Sequence, residues 1–317
     1  MSENYSQEGR AASFEEFYAQ HIAPYKDVYL KSSRSANNKG AIAAVVLILT
    51  LAIFGVLIMT RSLGSLFFLP VILLVVSIYL YYDYHQSENK FNRFFKEKII
   101  GSILDFLLPG ATLDPQDYID QKYYRESSLY RRVANFYTGN DLITAQYKGV
   151  SFNASEIASH KNNPDGPDEI IFKGVFMKAT LSGIQGGTYI WPNNDLQLPR
   201  SLADEHFRLT ALHEVYHVPT GAPAFDKYFS VYSSYPQEAL AILTEERMQG
   251  MLNLRHQLKK GVRFSFVPGK FYATIKSKDE LLEPVDTLDD TEYIRNYFYS
   301  ILAYPAIINQ LKLYEYI

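Results

Sequence analysis

The segment His213-Glu214-Val215-Tyr216-His217 has the residue types and spacing of a zinc-peptidase motif. In such a motif the two histidines lie one helical turn apart and bind Zn²⁺, while the glutamate acts as general base on the metal-bound water. A third ligand must come from further along the chain, where Glu238 is the best-placed carboxylate. One hypothesis is therefore a zinc metallopeptidase, with Glu214 as catalytic base and His213, His217 and Glu238 as metal ligands.

The residues around this motif favour a strand over the helix that a zinc site requires. Pro219 and Gly221 follow the second histidine almost at once, so a helix carrying the pair must end there. The valines and the tyrosine beside it are typical of strands. In a strand the two histidines would share one face while Glu214 points the other way. We therefore expect a structural segment and no cofactor, although a helix that begins at Ser201 would restore the zinc alternative.

Composition excludes several other kinds of chemistry. The chain has 317 residues and no cysteine, which excludes disulfides, thiolate metal sites and a cysteine nucleophile. The formal net charge is −3 and no Lys/Arg-rich stripe is present, so nucleic acid is not an expected partner. No Ser-His-Asp arrangement with recognisable local chemistry is found. These observations favour a binding or scaffolding module over an enzyme.

Two uncharged stretches give the strongest structural signal in the sequence. Between Lys39 and Arg61 lie 21 residues without a charge, and between Arg61 and Asp83 lie 21 more. At about 1.5 Å per residue, each stretch can cross a hydrocarbon core of about 30 Å as a helix. We therefore expect a transmembrane hairpin at residues 41–84, with the lipid bilayer as its partner.

The distribution of positive charge predicts the orientation of this hairpin. Basic residues flank both spans on the side of the termini, whereas the turn carries Arg61 alone. The flanking residues are Lys26, Lys31, Arg34, Lys39, Lys90, Arg93, Lys96 and Lys98. The positive-inside rule then places both termini in the cytoplasm, at a bacterial cytoplasmic (inner) membrane. Small residues in the first span (Gly40, Ala43, Ala44 and Gly55) would permit close packing in a homo-oligomer or with a membrane-protein partner.

Residues 1–40 are expected to form a cytoplasmic segment with one amphipathic helix. Residues 13–30 place aromatic and aliphatic side chains at three- and four-residue spacing, with an interruption at Pro24. The apolar stripe must be covered by the inner leaflet or by the domain that follows the hairpin. We favour the domain, because the polar face has too few Lys and Arg residues for a helix at a membrane surface.

Residues 85–317 are expected to form a cytoplasmic α+β domain. A helix at 88–110 is followed by short helices around Pro115 and by strand-like runs at 141–152 and 169–181. Later patterns predict a long helix at 235–261, a β-hairpin around Pro268-Gly269, and a final helix at 291–314 interrupted by Pro305. Helices and strands do not alternate regularly, which is typical of an α+β fold.

The order of these segments resembles a family of bacterial membrane proteins, the domain of unknown function 3137. The matching stretches are "FEEFYAQHIAPY", "RESSLYRRVANFYTGNDLITAQYKGVSFNASEI", "IIFKGVFMKA", "FDKYFSVYSSYPQEALAILTEERM" and "VRFSFVPGKFYATI". The resemblance covers nearly the whole chain. It implies a two-span anchor and a cytoplasmic α+β domain, and it brings no activity, cofactor or catalytic residue.

Overall fold

The computed structural model describes residues 14–60, 64, 68–130, 134–164, 166–193, 215–258, 261–278 and 280–317. The chain forms two compact units. The first, which we call the hairpin unit, comprises Met1–Ser102 together with Glu283–Asn296. The second, the sheet unit, comprises Ile103–Leu282 and Tyr297–Ile317. Residues 283–296, which the sequence places in the soluble domain, thus cluster with the N-terminal third of the chain.

Two long helices form most of the hairpin unit. Helix α1 covers Phe14–Met59 (46 residues) and α2 covers Phe68–Leu107 (40 residues). A π-helical turn at Tyr18–Ile22 and a 3₁₀ turn at Ala23–Tyr25 surround Pro24, because proline cannot donate a helical hydrogen bond. The predicted N-terminal helix is therefore present, and it continues without a gap into the first apolar stretch.

The apolar stripe of α1 packs against protein. Phe14, Phe17 and Ile22 are fully buried, and the Tyr18 hydroxyl donates to the Leu288 carbonyl oxygen at 2.6 Å. Val28 is the exception, since more than half of its surface is exposed. The carbonyl partner lies in the segment after the sheet strands, which agrees with the favoured interpretation that the stripe is covered by protein.

The described part of the sheet unit contains one antiparallel sheet of nine strands. The strands are β1 Thr112–Asp114, β2 Phe136–Tyr147, β3 Val150–Lys161, β4 Glu169–Thr180, β5 Thr188–Pro192, β6 Tyr216–His217, β7 Phe229–Ser233, β8 Val262–Val267 and β9 Lys270–Lys276. Their order in the sheet is β1-β2-β3-β4-β9-β8-β5-β7-β6. Helices and strands occur together without βαβ units, so the predicted α+β class is confirmed.

Turn chemistry explains how the strands are connected. The turn at Pro268-Gly269 joins β8 to β9, as predicted. Lys148 and Gly149 both have positive φ (49° and 83°) between β2 and β3, which matches the twist of a two-residue hairpin. The prediction of one strand over 141–152 was therefore wrong, because this turn divides that run between two longer strands.

The helices of the C-terminal half are α4 Pro223–Asp226, α5 Pro236–Ile242, α6 Glu245–Leu258 and α7 Thr291–Gln310, and the short α3 at Gln121–Glu126 precedes the long strands. The single helix predicted at 235–261 is broken at Leu243, whose ψ of 62° is not helical. The apolar spacing of that run also places Leu240 on the buried face of the helix, whereas the structure leaves it exposed. Two further predictions were wrong: α7 continues through Pro305, and β1 replaces a helix before Pro115.

Candidate functional site

The predicted zinc motif falls partly on a strand. His213 and Glu214 lie outside the described residues. Tyr216 and His217 form β6, the edge strand of the sheet, where His217 pairs with Tyr232 and its ring lies 5.4 Å from the tyrosine ring. A zincin needs both histidines on one helix, so the strand at His217 does not support that arrangement.

The candidate third ligand, Glu238, has another role. Its Oε1 accepts a hydrogen bond from the Gln185 backbone N–H, and its Oε2 accepts one from the Gly186 N–H, each at 2.8 Å. A Cβ at Gly186 would lie 2.2 Å from the Tyr235 ring, so a side chain at this position would displace that ring. Glu238 therefore fixes the glycine-rich turn before β5. Within the described parts of the chain, no three His, Asp or Glu side chains are grouped as a metal site.

We expect purified protein to contain no stoichiometric zinc, because β6 and the two bonds of Glu238 oppose the required geometry. Metal analysis of the detergent-purified full chain, of His213→Ala and of His256→Ala tests this prediction. All three proteins should give the same low zinc content. One zinc per chain that disappears in His213→Ala and persists in His256→Ala, a control at an exposed histidine, would establish the metal site instead.

The surface of the hairpin unit is its most unusual chemical feature. Both helices are long enough and apolar enough to cross a membrane, and their apolar side chains point outward. Residues that are more than half exposed include Ile42, Val45, Ile48, Leu49, Leu51, Val56, Phe68, Ile72, Val75 and Ile78. A water-soluble monomer rarely exposes a contiguous apolar surface above a few hundred Å². A surface of this kind is normally covered by another protein or by lipid.

The contact between the two helices is made by small and polar side chains. The hydroxyl oxygens of Thr50 and Ser77 lie 3.3 Å apart, and both residues are buried. A Cβ at Gly40 would lie 2.9 Å from the Tyr84 ring, so Gly40 permits the close approach of α1 and α2. Small residues at helix contacts and side-chain hydrogen bonds between helices are characteristic of packing in lipid.

The charges that bound the two apolar stretches meet at one end of the hairpin. The Lys39 ammonium lies 2.9 Å from the Asp83 carboxylate and donates to the Ser87 hydroxyl at 2.8 Å. Because α1 and α2 run antiparallel, the residue before the first stretch and the residue after the second lie side by side. This pair neutralises two charges at the boundary between the apolar surface and the polar end.

Residues 283–296 close the polar end of the hairpin unit. The Tyr29 hydroxyl donates to the Val285 carbonyl and accepts from the Val285 N–H, and its ring lies 4.9 Å from Phe91. Lys26 lies 3.1 Å from Asp289 and holds the pKa of that carboxyl below its usual value. The sequence favours the domain after the hairpin as the partner of α1 but does not single out residues 283–296, because the partners lie more than 250 positions apart along the chain.

One face of the sheet carries a dense aromatic cluster, which we call the tyrosine face. It comprises Tyr124, Tyr130, Tyr137, Tyr189, Tyr232 and Tyr272 with Trp191, Phe172 and Phe176. The Arg263 guanidinium lies 4.4 Å from the Tyr130 ring and 5.1 Å from the Trp191 ring. Burial raises the pKa of Tyr272. The hydroxyl of Ser265, on the same face as Arg263, is buried and has no hydrogen-bond partner among the residues described.

At the edge of the tyrosine face, three lysines surround one ring. The ammonium groups of Lys178, Lys122 and Lys270 lie 4.0, 4.9 and 5.8 Å from the centroid of Tyr123. Glu126 pairs with Lys270 at 2.6 Å, whereas Lys178 has no ion pair in the described structure. We call this group the lysine patch. Its cations and aromatic ring favour a small anion or an acidic peptide over a cationic ligand.

Residues 170–313 match the model of a family described as "Protein of unknown function (DUF3137)". No curated protein matches the chain significantly. Among solved structures, the crystal structure of the mycobacterial trehalose monomycolate transport factor A, TtfA, is similar with 10% identity and a TM-score of 0.35. The alignment covers 67% of this chain and 96% of that chain, and at this TM-score it carries no argument about function.

The matched region begins in β4 and ends just after α7, so it contains the strands β4 to β9 and the helices between them. It includes three of the sequence stretches on which the resemblance was based in full: "IIFKGVFMKA", "FDKYFSVYSSYPQEALAILTEERM" and "VRFSFVPGKFYATI". The resemblance to this family is confirmed over the matched residues, which make up somewhat less than half of the chain.

Proposed function

We propose that this chain is an integral membrane protein whose helical hairpin anchors a cytoplasmic binding module. The hairpin spans a bacterial cytoplasmic membrane, both termini lie in the cytoplasm, and the sheet unit recruits a partner. The observation that carries this proposal is the outward-facing apolar surface on both α1 and α2. In water such a surface would drive aggregation, whereas in a bilayer an apolar surface facing the lipid tails is favoured.

The dimensions of the hairpin support a spanning position. The regular part of α1, Lys26–Met59, has 34 residues and is about 51 Å long, which exceeds the hydrocarbon thickness of about 30 Å. The excess lies at the end that carries Lys31 and Arg34, so the helix extends into the aqueous phase there. The Lys39–Asp83 pair marks the boundary, and the polar pair of Thr50 and Ser77 lies between the helices, away from lipid.

A binding role for the sheet unit is supported by the lysine patch. Lys178 presents an ammonium group without a carboxylate partner there, beside the exposed edge of the tyrosine face. The sheet order leaves β6 and β1 as short edge strands, so pairing of a partner strand at these edges is disfavoured. We therefore infer that a partner of the domain is acidic and docks through side chains.

Reporter fusions and membrane fractionation test the proposed anchor and its orientation. A green fluorescent protein fused after Ile317 should fluoresce, because it folds in the cytoplasm, and alkaline phosphatase inserted at Gly64 should be active, because this turn lies in the periplasm. The exchanged fusions, with phosphatase after Ile317 and green fluorescent protein at Gly64, serve as matched controls. The phosphatase should then be inactive and the fluorescent protein dark. After alkaline carbonate washing the chain should remain in the pellet. Phosphatase activity from position 317, or a chain in the supernatant, would refute the proposal.

A further inference from the structure

A groove on the outer surface of α1 combines a cationic end with an apolar end. It is a shallow, open depression of about 510 Å³ within the hairpin unit, and the described residues that line it include Leu30, Lys31, Arg34, Ser35, Asn38 and Ile42. These positions recur at three- and four-residue intervals, so they form one stripe along the helix. The groove therefore runs parallel to the helix axis, from the charged extension of α1 into its apolar part.

The charged end of the groove has free capacity for an anion. Lys31 and Arg34 are exposed, and neither has an ion pair within the described residues. Lys39, which also borders the groove, is already engaged by Asp83 and Ser87. The one acidic lining residue, Asp27, lies a helical turn beyond Lys31, at the end farthest from the apolar stretch. Two cations and the Asn38 amide thus face the middle of the groove.

The apolar end continues past the groove. Ile42, Val45 and Leu49 follow the same stripe and are each more than half exposed. A ligand that matches this gradient must be an amphiphile with an anionic head and an aliphatic tail. If the hydrocarbon core begins near Gly40, the Cα of Arg34 lies about 9 Å beyond it along the helix. This depth is close to that of the lipid headgroups, given their layer of roughly 5–8 Å on each side.

We propose that this groove binds one anionic phospholipid. Its phosphate contacts Lys31 and Arg34, Ser35 and Asn38 complete the polar contacts, and an acyl chain lies along Ile42, Val45 and Leu49. The proposal rests on the proposed function, because it requires α1 to span the membrane. Charge complementarity and the continuous stripe identify a lipid as the occupant, since a soluble phosphate would leave the apolar end uncovered.

Helix α2 provides a matched control. Lys90 and Arg93 are also exposed, also three residues apart and also basic, yet they do not line the groove. If binding were only attraction between a basic belt and an acidic membrane surface, both pairs would contribute about equally. If the groove is a site, the pair on α1 alone should determine retention of the lipid.

The test is native mass spectrometry of the detergent-purified full chain with added phosphatidylglycerol or phosphatidylcholine. The wild-type chain should retain one phosphatidylglycerol in preference to phosphatidylcholine. Lys31→Gln/Arg34→Gln should weaken this retention roughly 10- to 30-fold, as expected for two cations near a phosphate. Lys31→Arg/Arg34→Lys should restore it, Lys90→Gln/Arg93→Gln should leave it unchanged, and excess glycerol 3-phosphate should not displace the lipid.

Three results would contradict the proposed lipid site. They are an equal loss of lipid retention in the two glutamine variants, equal retention of phosphatidylcholine and phosphatidylglycerol, or displacement of the lipid by glycerol 3-phosphate. Failure of the proposed membrane anchor gives a different result. In that case the wild-type chain itself leaves the membrane pellet on carbonate washing. If the lipid site is wrong but the anchor is right, both the wild-type protein and Lys31→Gln/Arg34→Gln remain in the membrane pellet. Only the mass-spectrometric measurement of lipid retention then contradicts the proposal.

Discussion

An alanine at position 174 is expected to destabilise the sheet unit by about 4 kcal/mol. Gly174 lies in β4 with φ +145°, where a side chain is strained. A Cβ there would lie 2.2 Å from the Ile275 carbonyl oxygen and 2.7 Å from the Ser277 backbone nitrogen. Both contacts are with backbone atoms of β9 and the residues after it, at the centre of the sheet. The neighbours cannot move away by a rotamer change, so strain and overlap add.

Gly269→Ala separates these two causes. Gly269 also has positive φ, at 77°, but a Cβ there meets nothing within 4 Å, so this variant should lose only about 1 kcal/mol from backbone strain. In thermal unfolding of the full chain in detergent, the midpoint should fall by about 10 °C for Gly174→Ala and by about 3 °C for Gly269→Ala. Equal shifts for the two variants would show that β4 and β9 are not packed as described.

Replacing Arg247 with methionine is expected to lower the free energy of unfolding by about 3 kcal/mol. Arg247 is buried in α6, where its guanidinium donates to the carbonyls of Leu311 (2.9 Å) and Ile242 (3.1 Å) and pairs with Glu315. The same group lies 4.7 Å from the Tyr316 ring. Methionine retains the apolar stem and removes every one of these bonds. The buried carbonyl oxygens of Leu311 and Ile242 each lose a donor, and the end of the chain loses one of its attachments to α6 while the Lys312–Glu246 pair remains.

Gln249→Ala is the control for this variant, because Gln249 is exposed on the same helix and its loss should change stability by no more than about 0.5 kcal/mol. Limited proteolysis adds a local readout, since release of the last residues should make them accessible in Arg247→Met. If the free energy of unfolding is the same for Arg247→Met, Gln249→Ala and the wild type, the interactions of the guanidinium do not stabilise the fold in solution.

The sequence predicts local features well and long-range ones poorly. The two apolar stretches are visible because every residue in them lacks charge, and the Pro268-Gly269 turn is visible because both residues favour that geometry. The turn at Lys148-Gly149 was missed, since a lysine with positive φ leaves no recognisable pattern. The break at Leu243 was missed as well, although the next residue, Thr244, caps the start of α6 by accepting a hydrogen bond from the Arg247 N–H at 3.3 Å.

The candidate sites depend still more on the fold. Glu238 could be named as a metal ligand from its position, but its two hydrogen bonds join it to a turn more than 50 residues earlier. The lysine patch brings together Lys122, Lys178 and Lys270 around one ring, and no spacing along the chain indicates this. The groove on α1, in contrast, is formed by neighbours in sequence, so helical periodicity predicts which of its described residues share one stripe.

The hairpin unit is built from two stretches that lie far apart along the chain, and this has a consequence for its biosynthesis. The ribosome completes the first 102 residues long before it reaches Glu283. At roughly 5–20 residues per second, the intervening 180 residues delay the arrival of the second piece by roughly 10–40 s. During this interval Tyr18 and Tyr29 lack the backbone partners that residues 283–296 later supply. Assembly of this unit is therefore completed only after Glu283–Asn296 has been synthesised, and a nascent chain arrested before Glu283 should leave the aromatic stripe accessible to protease or chaperone.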